Sequence, residues 1–418
     1  MSCSKRLQRI RDVYSEYPPE FWILLLGTFI DRLGGALVFP FLTLYISRKF
    51  DVGMTQIGVL FGVFSVTNIV GSMFGGALTD RLGRKRTLVL GLVASALTSL
   101  LMGLAESFAV LCAVVVGVGL FANVGGPAQQ AMVADLLPED KRAEGFGLVR
   151  VVANLCVAIG PIIGGLLATR SYLPLFIGDA VTSLITAGIV CALLRETKPA
   201  VRPGAEQETM LRTFRGYGAV ARDVKFTLFV AIFALVMLMA MQMHTSLGIY
   251  LRDAHSVSVQ RFGYILSLNA TMVVLFQFYV TRRMKGRRPF IMLAVGSALY
   301  GFGYSLYGFV SDYTLFLLAM VIITTGEMVV SPTAQSLVAR MAPEDMRGRY
   351  MAVYGFTWVL PGVVGPLAAG LIMDNTDPRW VWYAAGLAGL TAATGFGLLH
   401  RWIGDSIAAM GEPNSSSQ

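Results

Sequence analysis

The 418 residues are 55% hydrophobic and only 14% charged, with 34 Lys and Arg against 25 Asp and Glu and a formal net charge of +9. Length alone would allow two soluble domains, but the apolar residues fall in runs of about 20 separated by short polar links, the pattern of membrane-crossing helices. The basic excess does not mark a nucleic-acid binder either, because the cations gather beside the apolar runs on one side of them.

In chain order the runs predict twelve spans, at 21–46, 55–79, 87–105, 108–136, 144–169, 174–194, 226–250, 261–281, 289–310, 314–339, 349–373 and 380–400. The first begins at Phe21 and is too long for a signal sequence, so it is read as a retained span. An even number of spans puts both termini on one side. With the N-terminus in the cytoplasm, 26 of the 34 cations face that side and 6 the other, while Arg32 and Arg150 lie within spans. That split predicts an inner-membrane protein with both ends inside. The segments are then a tail (1–20), a six-helix bundle (21–194), a cytoplasmic linker (195–225), a second bundle (226–400) and a C-terminal tail (401–418). The expected class is an all-α membrane protein with two pseudo-symmetric six-helix bundles.

Between the second and third spans runs Gly76-Ala-Leu-Thr-Asp80-Arg81-Leu-Gly83-Arg84-Lys85-Arg86. A basic loop that only sets orientation explains the cations. It does not explain an acid and two glycines at these places, so the stretch is a candidate gate. Asp80 ends a span, where it meets either those cations or the positive N-terminal end of another helix, and Gly83 permits a sharp turn.

The halves repeat. Pro127 through Gly160-Pro161 aligns without gaps, at an offset of 205, with Pro332 through Gly365-Pro366. A parallel repeat of six-span halves is the mark of a secondary transporter, with its binding site expected at the midplane. The gate stretch has a degraded counterpart at Arg282–Arg288, where arginine replaces the acid.

In the fifth span Gly147, Cys156, Gly160, Pro161, Gly164 and Gly165 offer close helix approach and a bend. With these residues the chain resembles the major facilitator superfamily, and more narrowly its twelve-span drug:proton antiporters. Gly76, Leu78, Asp80, Arg81, Gly83, Arg84 and Lys85 match the family's gate motif, and Gly147, Gly160, Pro161, Gly164 and Gly165 match its antiporter motif, with Cys156 where glycine is usual. Gly35 and Pro40 resemble the first-span motif, and the likeness covers about 15–402. The family's fourth-span arginine has no counterpart near Ala113, so Arg150 or Arg32 is the candidate substitute. For Asp80 the resemblance implies a charge–dipole contact with the start of span eleven, where Arg347 and Arg349 stand, that shuts the cytoplasmic side.

Ionisable residues inside spans cost about 2.5–3.5 kcal/mol each on insertion scales and therefore face a cavity or a partner. Asp31 lies near the midplane of span one and Glu327 near that of span ten, while Asp179 in span six is shallower. The repeat partner of Glu327 is Ala122, so this carboxylate belongs to one half alone. Withdrawal from water penalises the charged form of a carboxylate, which lets such a group bind and release protons at neutral pH. A static ion pair with Arg32 or Arg150 is the structural alternative. Gly326-Glu327 followed by Ser331-Pro332 also resembles the tenth span of some proton-coupled drug exporters. Asn154, Gln242, His244, Asn269 and Gln277 are candidate cavity-lining residues, or else hold helices together, and Met237, Met239, Met241 and Met243 suit varied apolar ligands or lipid.

The expected function is proton-coupled efflux of small, largely apolar or cationic compounds by alternating access, with Asp31 and Glu327 first among the coupling candidates and Arg32, Asp179 and Arg150 behind them. The alternative cargo on the same fold is a metabolite, sugar or lysophospholipid. A membrane enzyme lacks its usual signals, since there are three His in all and no Lys followed by Ser or Thr to end a phosphate loop. A sensor would need an appended domain. No cofactor or metal is expected, only the proton gradient; the expected partners are a small-molecule substrate, protons and the lipid bilayer, with no nucleic acid, for a chain acting as a monomer. Asp80→Asn is expected to leave membrane expression normal and cut transport severalfold; vesicles carrying the variant that transport at the wild-type rate would remove the gate role.

Overall fold

The computed structural model describes residues 16–121, 124–198, 220–284, 286–343 and 346–409. Among these the regular structure is helical: α1 (Pro19–Val38), a 3-10 turn (Phe39–Phe41), α2 (Leu42–Phe50), α3 (Met54–Leu82), α4 (Arg84–Leu104), α5 (Phe108–Phe121), α6 (Gly125–Leu136), α7 (Glu139–Ala168) and α8 (Leu173–Leu193) precede the linker. After it come α9 (Val224–Thr245), α10 (Leu247–His255), α11 (Val259–Met284), α12 (Pro289–Phe309), α13 (Tyr313–Met341), α14 (Arg347–Asn375) and α15 (Trp380–Ala409). Twelve helical stretches among the described residues are long and apolar enough to cross a membrane, with α1 and α2 forming one, α5 and α6 another, and α10 standing outside them.

The helices begin and end for local reasons. Proline opens α1, α8 and α12, where its missing N–H costs nothing. The Asp223 carboxylate accepts from Phe226 N at the start of α9, and that of Asp312 from Thr314 N at the start of α13. Gly83, at φ +98°, separates α3 from α4, and Gly286, at φ +82°, holds the corresponding position in the second half. Large apolar side chains such as Phe278 (78% exposed) and Met73 (73%) point out of the bundles. That inverts a soluble protein and fits hydrocarbon as the solvent.

The helices form two compact units. One holds the residues up to Leu42 and those from Val63 to the linker; the other holds Thr43–Gly62 and the chain after the linker. Within the first, α8 packs on α1 and α4, α7 on α1, and α6 on α4. Within the second, α15 packs on α9 and α12, α14 on α9, and α13 on α12. The second set is the first moved along by six spans, so the repeat in sequence is a repeat in packing. The stretch Thr43–Gly62 joins the second unit through backbone contact: a Cβ on Gly58 would lie 2.6 Å from Leu367 Cα, and Met54 N and Thr55 N donate to the Asp374 carboxylate at 2.9 and 2.7 Å.

Small residues set the closest approaches, as they must where lipid supplies no hydrophobic drive between helices. A Cβ on Gly160 would stand 2.8 Å from the Ala36 carbonyl of α1, and one on Gly164 2.7 Å from that of Leu37, so two antiporter-motif glycines are the seam between α7 and α1. In the second unit Gly301 and Gly389 bring α12 and α15 together, and a methyl on Gly301 would meet the Gly389 Cα at 2.6 Å. Gly301→Ala is expected to destabilise the protein by about 1–3 kcal/mol through overpacking, whereas Gly397→Ala, which meets nothing within 4 Å, gains helix propensity alone. Melting temperatures in detergent check this, and equal shifts for the two would sink the close-packing account.

Candidate functional site

At the basic stretch, α3 ends at Leu82 and α4 restarts at Arg84. The new helix end exposes backbone N–H groups, and the Glu196 carboxylate takes them: Arg84 N donates to Oε1 at 2.7 Å and Lys85 N at 3.4 Å, joined by Thr197 N and Lys198 N at 3.1 Å each. A side chain on Gly83 would strike the Glu196 carboxylate. Arg84 Nε pairs with Asp135 at 3.1 Å and its Nη1 donates to Thr79 O; Lys85 Nζ donates to Cys191 O at 2.7 Å, and Lys198 Nζ to Arg81 O at 3.0 Å. The gate cations are thus bound to the ends of α3, α6 and α8, while the Arg81 side chain is exposed. Gly76 has open space around it; it is Gly75 that lies against the Val124 carbonyl. The side chains of Asp80 and Arg347 lie outside the described residues, and so does their expected contact. Ala122 and the linker from 199 to 219 lie outside them as well.

In the first unit α1 and α8 run side by side with two acids between them. Ser183 Oγ donates to Asp31 Oδ1 at 2.8 Å. One turn along each helix, a Cβ on Gly34 would meet Asp179 Oδ1 at 2.8 Å and the Thr182 hydroxyl, so Asp179 lies against the α1 backbone close to Asp31. Ser99 of α4 is the further hydroxyl at Asp179. Beside them Thr186 donates to Gly27 O, Gln129 Nε2 to Thr28 Oγ1, and Cys156 Sγ to Phe29 O. Arg32 and Arg150 are exposed, Asn154 is half-buried and Gly147 is open. Pro161 sits inside α7, and Gly165 is buried.

In the second unit Asn269 of α11 donates Nδ2 to Glu327 Oε2 of α13 at 2.8 Å and to Thr324 Oγ1 at 3.0 Å, while Thr324 gives its own proton to Met320 O. Glu327 makes no ion pair among the described residues. Its neighbour Gly326 lies against the backbone of α12, where a Cβ would meet Tyr300 N at 2.8 Å. Asn269 therefore joins the acid, but the other polar candidates serve elsewhere. Gln242 is satisfied within its own helix, donating to Leu238 O and accepting from Ser246 Oγ, and Gln277 ties α11 to α13 through Met328 O. His244 is half-buried in α9. Met237, Met239 and Met243 are buried inside the bundle, so lipid contact does not account for them.

The residues that reading by position missed are Glu196, Asp135 and Ser183. Ser183 had a signal, since Asp179, Ser183 and Thr186 form a polar stripe at helical spacing on an apolar span. Glu196 had none, being far in sequence from the helix end it caps. Partial burial opposes the Glu196 charge, but the backbone N–H groups of Arg84, Lys198, Lys85 and Thr197 outweigh it and hold the carboxyl below its ordinary value. A carboxyl lowered in the folded state stabilises above its unfolded pKa, and that contribution fades as pH falls through the folded value. Glu196→Gln is accordingly expected to melt below the wild type at neutral pH, with the two curves converging in acid; a gap that stays constant down to pH 3 would show that the charge is not the cause.

The solved transporters show the same architecture. A POT family transporter in complex with 5-aminolevulinic acid superposes with a TM-score of 0.78 at 16% identity, over 93% of this chain and 97% of that one. A mutant of the nucleoside transporter NupG does so with 0.77 at 13%, over 91% and 99%. In sequence, a Na(+), Li(+), K(+)/H(+) antiporter of Planococcus maritimus is 27% identical over 391 residues, spanning 87% of this chain and 90% of that protein. The quinolone resistance protein NorA of Staphylococcus aureus (strain COL) is 24% identical over 375 residues, spanning 88% and 94%. The family's sequence model matches residues 24–366, and the chain belongs to the Major Facilitator Superfamily, as a multi-pass membrane transporter of small molecules and not an enzyme.

Proposed function

We propose that the protein exports small, largely apolar or cationic compounds in exchange for protons, from an inner membrane in which both termini are cytoplasmic. The observation that carries this reading is Glu327: a carboxylate in the middle of α13, held by the neutral amide of Asn269 and by no cation among the described residues. A carboxylate neutralised by arginine would be a fixed strut. One held by an amide can stay protonated or give the proton up, because Asn269 bonds either form. The relatives named as a cation/proton antiporter and as a quinolone resistance protein support exchange and drug efflux respectively. The gradient is the energy source, and the two acids between α1 and α8 are the further coupling candidates.

A second reading has its own observation. Asp31, Asp179, Ser183 and Ser99 bring oxygens together, the donor type that alkali cations take, and an alkali cation is the cargo in the name of the Planococcus relative. Proteoliposomes with an imposed pH gradient separate the two. Export of a lipophilic cation such as ethidium is expected for the wild type, and Glu327→Gln is expected to cut its gradient-driven rate at least tenfold while leaving downhill exchange in place. Sodium exchange without ethidium export would favour the second reading, and a Glu327→Gln variant that still follows the gradient would refute the coupling role.

A further inference from the structure

The second unit holds a file of polar aromatics that the transport reading does not use. Tyr300, Tyr304 and Tyr307 stand at i, i+4 and i+7 on one face of α12, a stripe about 10 Å long at the helical rise. It runs from the level of Glu327, beside Gly326 and Tyr300, toward the end of the bundle where α10 turns into α11. Trp382 of α15 packs along it, with ring centroids 6.4 Å from Tyr304 and 5.5 Å from Tyr307, and Tyr250 of α10 lies 5.1 Å from the same tryptophan. His255, half-buried in the last turn of α10, closes the file with Nε2 3.2 Å from Tyr250 Oη.

Tyr304 and Trp382 are fully buried, yet Tyr304 Oη and Trp382 Nε1 have no hydrogen-bond partner in the protein. Burying a polar group unsatisfied costs about 1–3 kcal/mol, and a core needed only for packing would use phenylalanine. Buried polar groups left open by the protein are where ordered water sits. Glu327 also acts electrostatically on Tyr300 and Tyr304, so the inner end of the file is within reach of its charge.

We infer that this file, from His255 and Tyr250 through Tyr304 and the water it binds to Tyr300, carries protons between the α10 end of the second bundle and Glu327. The inference rests on Glu327 being the proton-coupling acid. A hydroxyl accepts a proton on a lone pair as it gives its own away, so each hop leaves no net charge behind; the indole N–H of Trp382 only donates and serves to anchor water. The outer end is arranged for entry. Tyr250 spends its one proton on Tyr307 O at 2.8 Å, so His255 Nε2–H is the donor to Tyr250 and Nδ1 is left as the acceptor. Burial, and after it the Arg379 guanidinium, hold the His255 imidazole below its ordinary value, so the ring is neutral at pH 7 and ready to take a proton. Asp377 and Arg379 are the charged groups that also act on Tyr250, and Asn269 is the polar neighbour of Glu327 from α11. The Tyr307 hydroxyl is off the route, since its proton goes to Phe316 O.

Acid jumps on proteoliposomes containing a pH dye test this. Tyr304→Phe keeps the ring and its stacking and is expected to slow proton uptake three- to tenfold with the end point unchanged. His255→Gln, at the accessible end, is expected to do the same and carries the test if Tyr304→Phe melts early. Tyr307→Phe is the control and should stay within twofold of wild type. Wild-type rates in Tyr304→Phe and His255→Gln, or equal slowing in Tyr307→Phe, would overturn the route. Glu327→Gln run alongside separates the two failures: if it takes up protons like the wild type, the coupling reading falls, and if it is inactive while Tyr304→Phe is normal, only the route falls.

Discussion

Hydrocarbon offers no hydrogen bonds, and each polar group inside this protein answers to that fact. The backbone answers by forming helices, and the hydroxyls of Thr28, Thr79, Thr245, Thr324 and Thr333 answer by bonding back to a carbonyl one turn earlier. A carboxylate cannot do this within its own helix. Asp31 turns to Ser183 on α8 and Glu327 to Asn269 on α11, so each acid ties its span to a particular neighbour. The groups that exchange protons in the proposed cycle also help to define the packing of their bundles.

With no hydrophobic drive between helices in lipid, the bundles depend on backbones that meet closely. Glycine makes this possible at the α1–α7 seam, through Gly160 and Gly164, and at the α12–α15 seam, through Gly301 and Gly389. The two seams join different pairs of spans, five with one and nine with twelve. The halves thus share a packing plan while differing in where the tightest contact falls. They differ in chemistry too, since the first carries two acids between α1 and α8 and the second a single acid beside a tyrosine stripe.

The basic stretch owes its order to a helix end more than to its own charges. Gly83 breaks the chain at a positive φ, the N-terminus of α4 opens, and Glu196 closes it. Arg84 and Lys85 then bind Asp135 and the Cys191 carbonyl, so a loop whose cations report orientation is also a clasp on the ends of α6 and α8. Movement of these helices in transport would have to keep the clasp or break it as a whole.

The twelve spans, the linker position, the internal repeat and the family were legible in the amino-acid order, because a bilayer reduces the choice of structure to apolar runs of fixed length. The antiporter-motif glycines were legible for the same reason, as small residues at helical spacing. What only the tertiary structure decided was partnership. Asp31 with Ser183, Glu327 with Asn269 and Glu196 with the α4 terminus join residues 152, 58 and 112 positions apart, and helical periodicity says nothing about which face of one span meets which face of another. Gln242 and Asn269 look alike in sequence, each a lone amide in an apolar run. Packing turned one back onto its own helix and set the other against an acid, because Leu238 O and Ser246 were near the first and Glu327 near the second.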